Sequence, residues 1–227
     1  MIKRLIKILS ITLIFFFSII LYLSFIGIKT EKFNERISSK VLKINNKINI
    51  DLKDIKFLLY PFNFTVNIST KEPTIGLGGN KLRIKDIKTN ISLRSLIFNQ
   101  FLIDDLQIST KPITLKDLVL LGRSFKNSTE LFLLDKIIKD GFLIADIKLK
   151  FDNKGNLQED YQINGFIKNT KLNFLNQLNI DNLNLNFDII KNKYSLTEIN
   201  GEINNVELSS PLIEINEKKD LFFIKGK

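Results

Sequence analysis

Hydrophobic positions along the chain follow three successive patterns. From Ile8 to Ile28 there is no charged residue at all. A helix over this run of 21 residues is about 31 Å long, matching a hydrocarbon core of about 30 Å, so the run predicts one membrane-spanning segment. From Glu31 to Ile44 the apolar residues Phe33, Ile37, Val41 and Ile44 recur at spacings of four, four and three, predicting a short amphipathic helix beside the membrane. At Ile48 the period changes to two.

That alternation predicts strands through Ile48, Ile50 and Leu52, through Ile55, Phe57 and Leu59, and through Phe62, Phe64, Val66 and Ile68. Tyr60-Pro61 is read as the first turn, since proline cannot donate to a ladder, and Pro73 to Asn80 as a second. Strand patterns continue through Leu82, Ile84, Ile87, Ile91 and Leu93, then Leu102, Leu106, Ile108, Ile113 and Leu115. Leu115 to Phe125 predicts a helix with Thr114 as N-cap. Leu131 to Lys139 fits either a helix closed by Gly141 or strands joined by an Asp140-Gly141 hairpin. The last third alternates most clearly: Ile147, Leu149 and Phe151, a turn at 152–156, Tyr161, Ile163, Gly165 and Ile167, then Ile180, Leu183, Leu185, Phe187 and Ile189. After a turn at 191–193 come Tyr194, Leu196 and Ile199, with further strands at Ile203 to Leu208 and Leu212 to Ile215. The strand pattern at Leu221 to Ile224 has no following neighbour, which points to a longer relative or a truncated product.

The flanks orient the anchor. Lys3, Arg4 and Lys7 precede it without an acid, whereas Lys29, Lys32 and Arg36 are mixed with Glu31 and Glu35. The positive-inside rule then keeps the N-terminus cytoplasmic and exports the rest. A cleaved signal has a shorter apolar region and a small-residue cleavage site, neither of which fits, and a lipoprotein lacks its acceptor because there is no cysteine. Three regions follow: residues 1–29 as cytoplasmic tip and anchor, 30–46 as juxtamembrane helix, and 47–227 as an extracytoplasmic β-rich domain.

The formal net charge of +10 is uneven: +4 over residues 1–29, +7 over 30–100, +1 over 101–150 and −2 over the remainder. Its excess lies beside the predicted membrane, where each Lys or Arg near an anionic leaflet gains about 1 kcal/mol. No tryptophan and few arginines argue against nucleic-acid binding.

Absence of both cysteine and histidine removes disulfides, Cys/His metal sites, thiol nucleophiles and imidazole bases. The remaining carboxylate pairs, Asp104-Asp105 and Glu159-Asp160, are adjacent in sequence and project to opposite faces of a strand, so neither makes an acid/base couple. Gly76, Gly78 and Gly79 lack the Lys-Ser/Thr ending of a phosphate loop. No catalytic residue, metal or cofactor is expected, and the protein is not expected to be an enzyme.

One signature recurs: an aliphatic residue, any residue, Asp or Asn, then an aliphatic residue. It starts at Leu52, Ile84, Ile103, Ile144 and Ile180, at separations of 32, 19, 41 and 36 residues, too irregular for a solenoid. Together with the anchor, the segment Leu52 to Phe62, the block Ile87 to Ile108 and the runs near 155 and 164, this pattern resembles the N-terminal part of the AsmA-like family of bacterial envelope proteins. The resemblance implies a mainly β fold with an N-terminal transmembrane helix, and a curved antiparallel β-sheet or groove with one or two short helices. It further implies that a concave apolar face carries phospholipid or another acyl lipid between envelope membranes, from an inner-membrane anchor with the β domain in the periplasm and envelope proteins as partners. Inward contacts are then expected from Phe57, Phe64, Val66, Ile91, Leu93, Leu106 and Ile108. An LptC-like β-jellyroll component of lipopolysaccharide export is a second reading. A membrane-tethered scaffold or outer-membrane assembly factor without lipid, its face filled by its own side chains, is a third.

Overall fold

The computed structural model describes residues 2–35, 38, 39, 42, 48–77, 80–94, 103–125, 128–152, 158–174, 177–218 and 221–227. Helix α1 (Ile2–Phe25) carries the apolar run, along a window apolar enough to cross a membrane and with none of its residues buried. It ends earlier than the predicted Ile28. Gly27 takes φ +73°, its N–H and that of Ile26 both donate to Tyr22 O, and Ile28 already belongs to the first strand. Of the predicted juxtamembrane helix, residues 36, 37, 40, 41 and 43–46 lie outside the described residues.

The strands are β1 (Ile28–Thr30), β2 (Ile48–Asp51), β3 (Ile55–Tyr60), β4 (Thr65–Lys71), β5 (Thr74–Leu77), β6 (Asn80–Ser92), β7 (Ile103–Thr110) and β8 (Ile113–Thr114). Helices α2 (Leu115–Phe125) and α3 (Thr129–Ile137) follow, then β9 (Ile138–Lys150), β10 (Gln162–Phe174), β11 (Leu178–Ile190), β12 (Lys193–Ile203), β13 (Val206–Lys218) and β14 (Leu221–Gly226). Every pairing is antiparallel. One path, β1-β3-β4-β6-β7-β9-β10-β11-β12-β13-β14, forms a curved sheet that does not close, with β2, β5 and β8 attached at its side. Eleven strands at about 4.8 Å spacing run about 48 Å across.

Local chemistry explains several boundaries. Pro61 opens a 3-10 turn (Pro61–Asn63) between β3 and β4, as the missing N–H requires. Thr114 caps α2: its Oγ1 accepts from Asp117 N at 3.1 Å and donates to Asp117 Oδ2 at 2.6 Å. The ambiguous stretch at 131–139 is helical only to Ile137, with Ser128 as cap, and passes directly into β9. Gly141 closes neither helix nor hairpin. It lies within β9 at φ +121°, buried against Thr170. The region read as a turn from Pro73 to Asn80 contains β5, and the strand read from Ile203 to Leu208 contains a two-residue turn, Asn204-Asn205, both at positive φ.

The recurring signature has a structural cause. Aliphatic residues three apart fall on opposite faces of a regular strand, but one extra residue returns them to the same face. The ladder slips between Ile84 and Asp86, between Asp105 and Ile103, and between Asp181 and Asn184. Ile84 pairs with Thr110 and Ile87 with Ile108, Ile103 with Ile91 and Leu106 with Thr89, Ile180 with Leu172 and Leu183 with Thr170. Each aliphatic pair therefore shares a face. Asn182 sits in the left-handed region within its bulge, as do Asn169 in β10 and Glu198 in β12, so a line of bulges crosses three neighbouring strands. Bulges bend the strand that carries them, which accounts for the curvature here. Lys53, also left-handed, lets Leu52 and Ile55 both be buried. Ile144 is the exception: it pairs with Phe166 on the face opposite Ile147, without a bulge.

Candidate functional site

A single rung of the ladder can be followed through all eleven strands: Thr30, Ile55, Thr70, Ile87, Ile108, Ile147, Ile163, Ile189, Tyr194, Ile215 and Ile224. Directly paired residues on antiparallel strands project to the same side, so this rung lies on one face. It carries no charge. Neighbouring rungs of the same face add Leu149 beside Leu106, and Phe187, Leu196 and Ile213 beside Gly165. One residue along each strand, the opposite face reads Lys71, Asp86, Ser109, Asp146, Asn164, Asp188, Ser195, Glu214 and Lys225. The sheet is two-sided, apolar against polar.

Gly165 is required where β9 and β10 meet. A Cβ there would collide with the Ile144 carbonyl and come within 2.9 Å of Ala145 Cα.

Part of the apolar face is covered. Leu115 and Val119 of α2 join Ile138 and pack against Leu143, Ile167 and Leu172, while Leu118 and Leu121 pack beside Ile84, Ile87 and Ile108. Helix α3 is locked to α2 by Arg123 and Asp135 at 2.8 Å, and Arg123 and Lys136 both lie over the Phe132 ring. Strands β11 to β14 pack chiefly on their ladder neighbours. Ile163, Ile189, Tyr194 and Ile215 are accordingly only half-buried, and Ile224 is exposed.

Five of the seven residues expected to face inward share this face. Phe57 pairs with Ile68, Val66 with Ile91, Leu106 with Thr89 and Ile108 with Ile87. Ile91 is fully buried and belongs to the core. The other two do not sit on strands. Phe64 closes the 3-10 turn at φ 51°, and Leu93 lies just past β6, its N–H donating to Phe64 O at 2.8 Å. Sequence reasoning omitted Ile147, Ile163, Ile189 and Ile215 from the candidate set, although their alternation was plain. What was missing was the long-range pairing that puts them in line with Ile108.

The carboxylates have structural partners. Asp105 accepts from Asn90 N and Nδ2 and from Gln107 Nε2. Glu159 pairs with Lys191 at 3.1 Å and Asp160 with Lys150 at 2.5 Å, the latter contact holding the Asp160 carboxyl below the usual range. Burial, then Glu217, raises the Tyr194 hydroxyl. Among the described residues no three acidic side chains gather as a metal site would require. Amides dominate the polar side of β10 to β12, where Asn173 bonds Asn179, Asn184 bonds Asn200 and Asn186 bonds Glu198.

A cleft of about 780 Å³ lies away from the isoleucine rung, at the ends of β11 to β14. Ile190, Lys193, Asn216 and Phe223 form its floor and lie on the polar-side register, with Glu217 at the edge. The cleft is local to four strands, whereas the isoleucine rung crosses all eleven of the main path. No family model, curated protein or solved structure matches the chain.

Proposed function

We propose that this protein is a single-pass bacterial inner-membrane protein whose periplasmic β-sheet holds the acyl chains of phospholipid, or of a related acyl lipid, on its isoleucine face and helps to pass them through the envelope. One observation carries the reading: an uncharged rung runs through all eleven strands of the open sheet's main path and stays only partly covered from β10 onward. An antiparallel sheet with an apolar face must cover it with a second layer, a helix or lipid. Helices α2 and α3 cover one part. Acyl chains would cover the rest, each CH₂ withdrawn from water gaining about 0.8 kcal/mol. Lys3, Arg4 and Lys7, which precede the apolar run within α1, support a cytoplasmic N-terminus. Resemblance to AsmA-like proteins favours the same chemistry.

The scaffold reading draws on a different observation. Edge strand β14 exposes Leu221, Phe222, Phe223 and Ile224, a template for pairing with another chain.

Lipid retained by the purified full chain separates the two. Phospholipid per chain, quantified by mass spectrometry, should fall in Ile163→Asp and Ile189→Asp relative to wild type, with circular dichroism unchanged. Lipid held only by α1 forms an equal background in all three. Equal lipid in folded variants would contradict the lipid reading and favour the scaffold.

A further inference from the structure

We infer that the aromatic tip of the β3–β4 hairpin, Phe62 and Phe64 with Tyr60 behind them, is a second membrane contact, seated in the bilayer beside the last turns of α1. The inference rests on α1 spanning the membrane.

Three observations lead to it. The first is direction. Strand β1 leaves α1 through Gly27, and β3 runs antiparallel to it with Phe57 opposite Ile28. Beyond Phe57, β3 therefore runs back along the helix, and Leu58 to Tyr60 cover about 10 Å at 3.3 Å per residue. The packing of β3 on α1 agrees. So does the exposure of the helix: Leu13 and Ile14 are 67% and 63% exposed, whereas Ile20 and Leu21 are 39% and 40%. Ser24 Oγ is buried altogether. The hairpin thus shields α1 several residues below its end, within the span assigned to the bilayer.

The second observation is charge. Residues 57–70 form the longest uncharged run outside the anchor, bounded by Lys56 and Lys71 at the opposite end of the hairpin. A segment entering lipid cannot carry unpaired charges, and here they stop where the strands turn toward the helix. The third is the tip itself. Phe62 is 96% exposed and Phe64 71%, and neither lies on a strand: Phe62 belongs to the 3-10 turn and Phe64 closes it in the left-handed conformation. Aromatic side chains at such a level are suited to the boundary between acyl chains and head groups. The contact would fix the sheet against the membrane so that Leu59 and Val66, paired on the apolar face, start at the lipid.

The chain contains no tryptophan, so single substitutions report their surroundings without background. The full chain is reconstituted in phosphatidylcholine nanodiscs, with or without brominated acyl chains, as Phe62→Trp, Lys71→Trp or Phe16→Trp. Phe62→Trp should emit to the blue, lose most of its emission in brominated lipid and resist aqueous acrylamide, while Lys71→Trp should do the reverse. Phe16→Trp reports α1 separately. Quenching of Phe16→Trp but not of Phe62→Trp by brominated lipid would overturn the tip contact alone, and quenching of neither would overturn the anchor with it. Protection of Phe62→Trp from both quenchers would mean that protein, a second copy or a partner, covers the tip, and would also overturn the proposal.

Discussion

Gly27 lies against Phe57, so close that a Cβ on the glycine would strike the Phe57 carbonyl and come within 2.9 Å of Leu58 Cδ2. Helix α1 and the sheet are thereby joined through a single residue that needs both positive φ and no side chain. Gly27→Ala should cost at least about 1–2 kcal/mol for the left-handed conformation alone. The backbone clash adds to this. A lower melting temperature and new proteolysis near Ile28 are expected. Gly76→Ala, whose added Cβ would meet only Asn49 at 3.6 Å, should leave both unchanged.

Left-handed residues supply a second test. Lys53 adopts φ 51° with its side chain exposed. Lys53→Gly should stabilise the fold by about 0.5–1 kcal/mol, and Lys53→Val should destabilise it, measured by denaturant midpoint. If valine were neutral there, the strained conformation would not be needed to bury Leu52 and Ile55 together.

These bulges mark the limit of what the sequence makes legible. Alternation at Ile163, Gly165 and Ile167 or at Phe187 and Ile189 reveals strands directly, and Thr114 and Pro61 reveal their caps and turns. The pairs Ile84/Ile87 and Ile180/Leu183 break the period of two, so they read as a motif whose geometry is visible only once the ladder slip is seen. Strand β5, Thr74 to Leu77, is hidden in the sequence by Pro73 before it and by Gly76, Gly78 and Gly79, because its partners, β2 and β6, are supplied by distant pairing. Asn204-Asn205 lacks glycine or proline, yet asparagine tolerates left-handed φ well enough to turn the chain. Phe64 matched the strand period but fell in a turn set by Pro61, three residues earlier.

Burial separates core from surface on the same face. Ile91 is 1% exposed and Ile224 70%. Ile91→Ala should cost about 2–5 kcal/mol, whereas Ile224→Ala should stay within about 0.5 kcal/mol. Comparable losses at both would mean that β14 is covered in solution.

Stability should also fall on acidification. A hydrogen bond from Lys150 depresses the Asp160 carboxyl, and one from Lys111 depresses Glu72. A group whose folded-state pKa is lowered stabilises above its unfolded value and loses that contribution as pH falls from there through the folded one. Both carboxylates are exposed, so the effect is small and weakens with salt. An Asp160→Asn, Glu72→Gln double variant should show a shallower acid-side decline in melting temperature at low salt. An identical decline would remove these pairs from the account.

Lipid on one face of the sheet, as proposed, is tested best by neighbouring residues. The photocrosslinker benzoylphenylalanine is placed in turn at Ile163 and Ile189 on the isoleucine rung, and at Asn164 and Asp188, which pair with each other on the opposite face. After irradiation of intact cells, mass spectrometry of the purified chain should reveal lipid adducts at 163 and 189 and none at 164 and 188. Adducts on both faces alike, or on neither, would contradict the account.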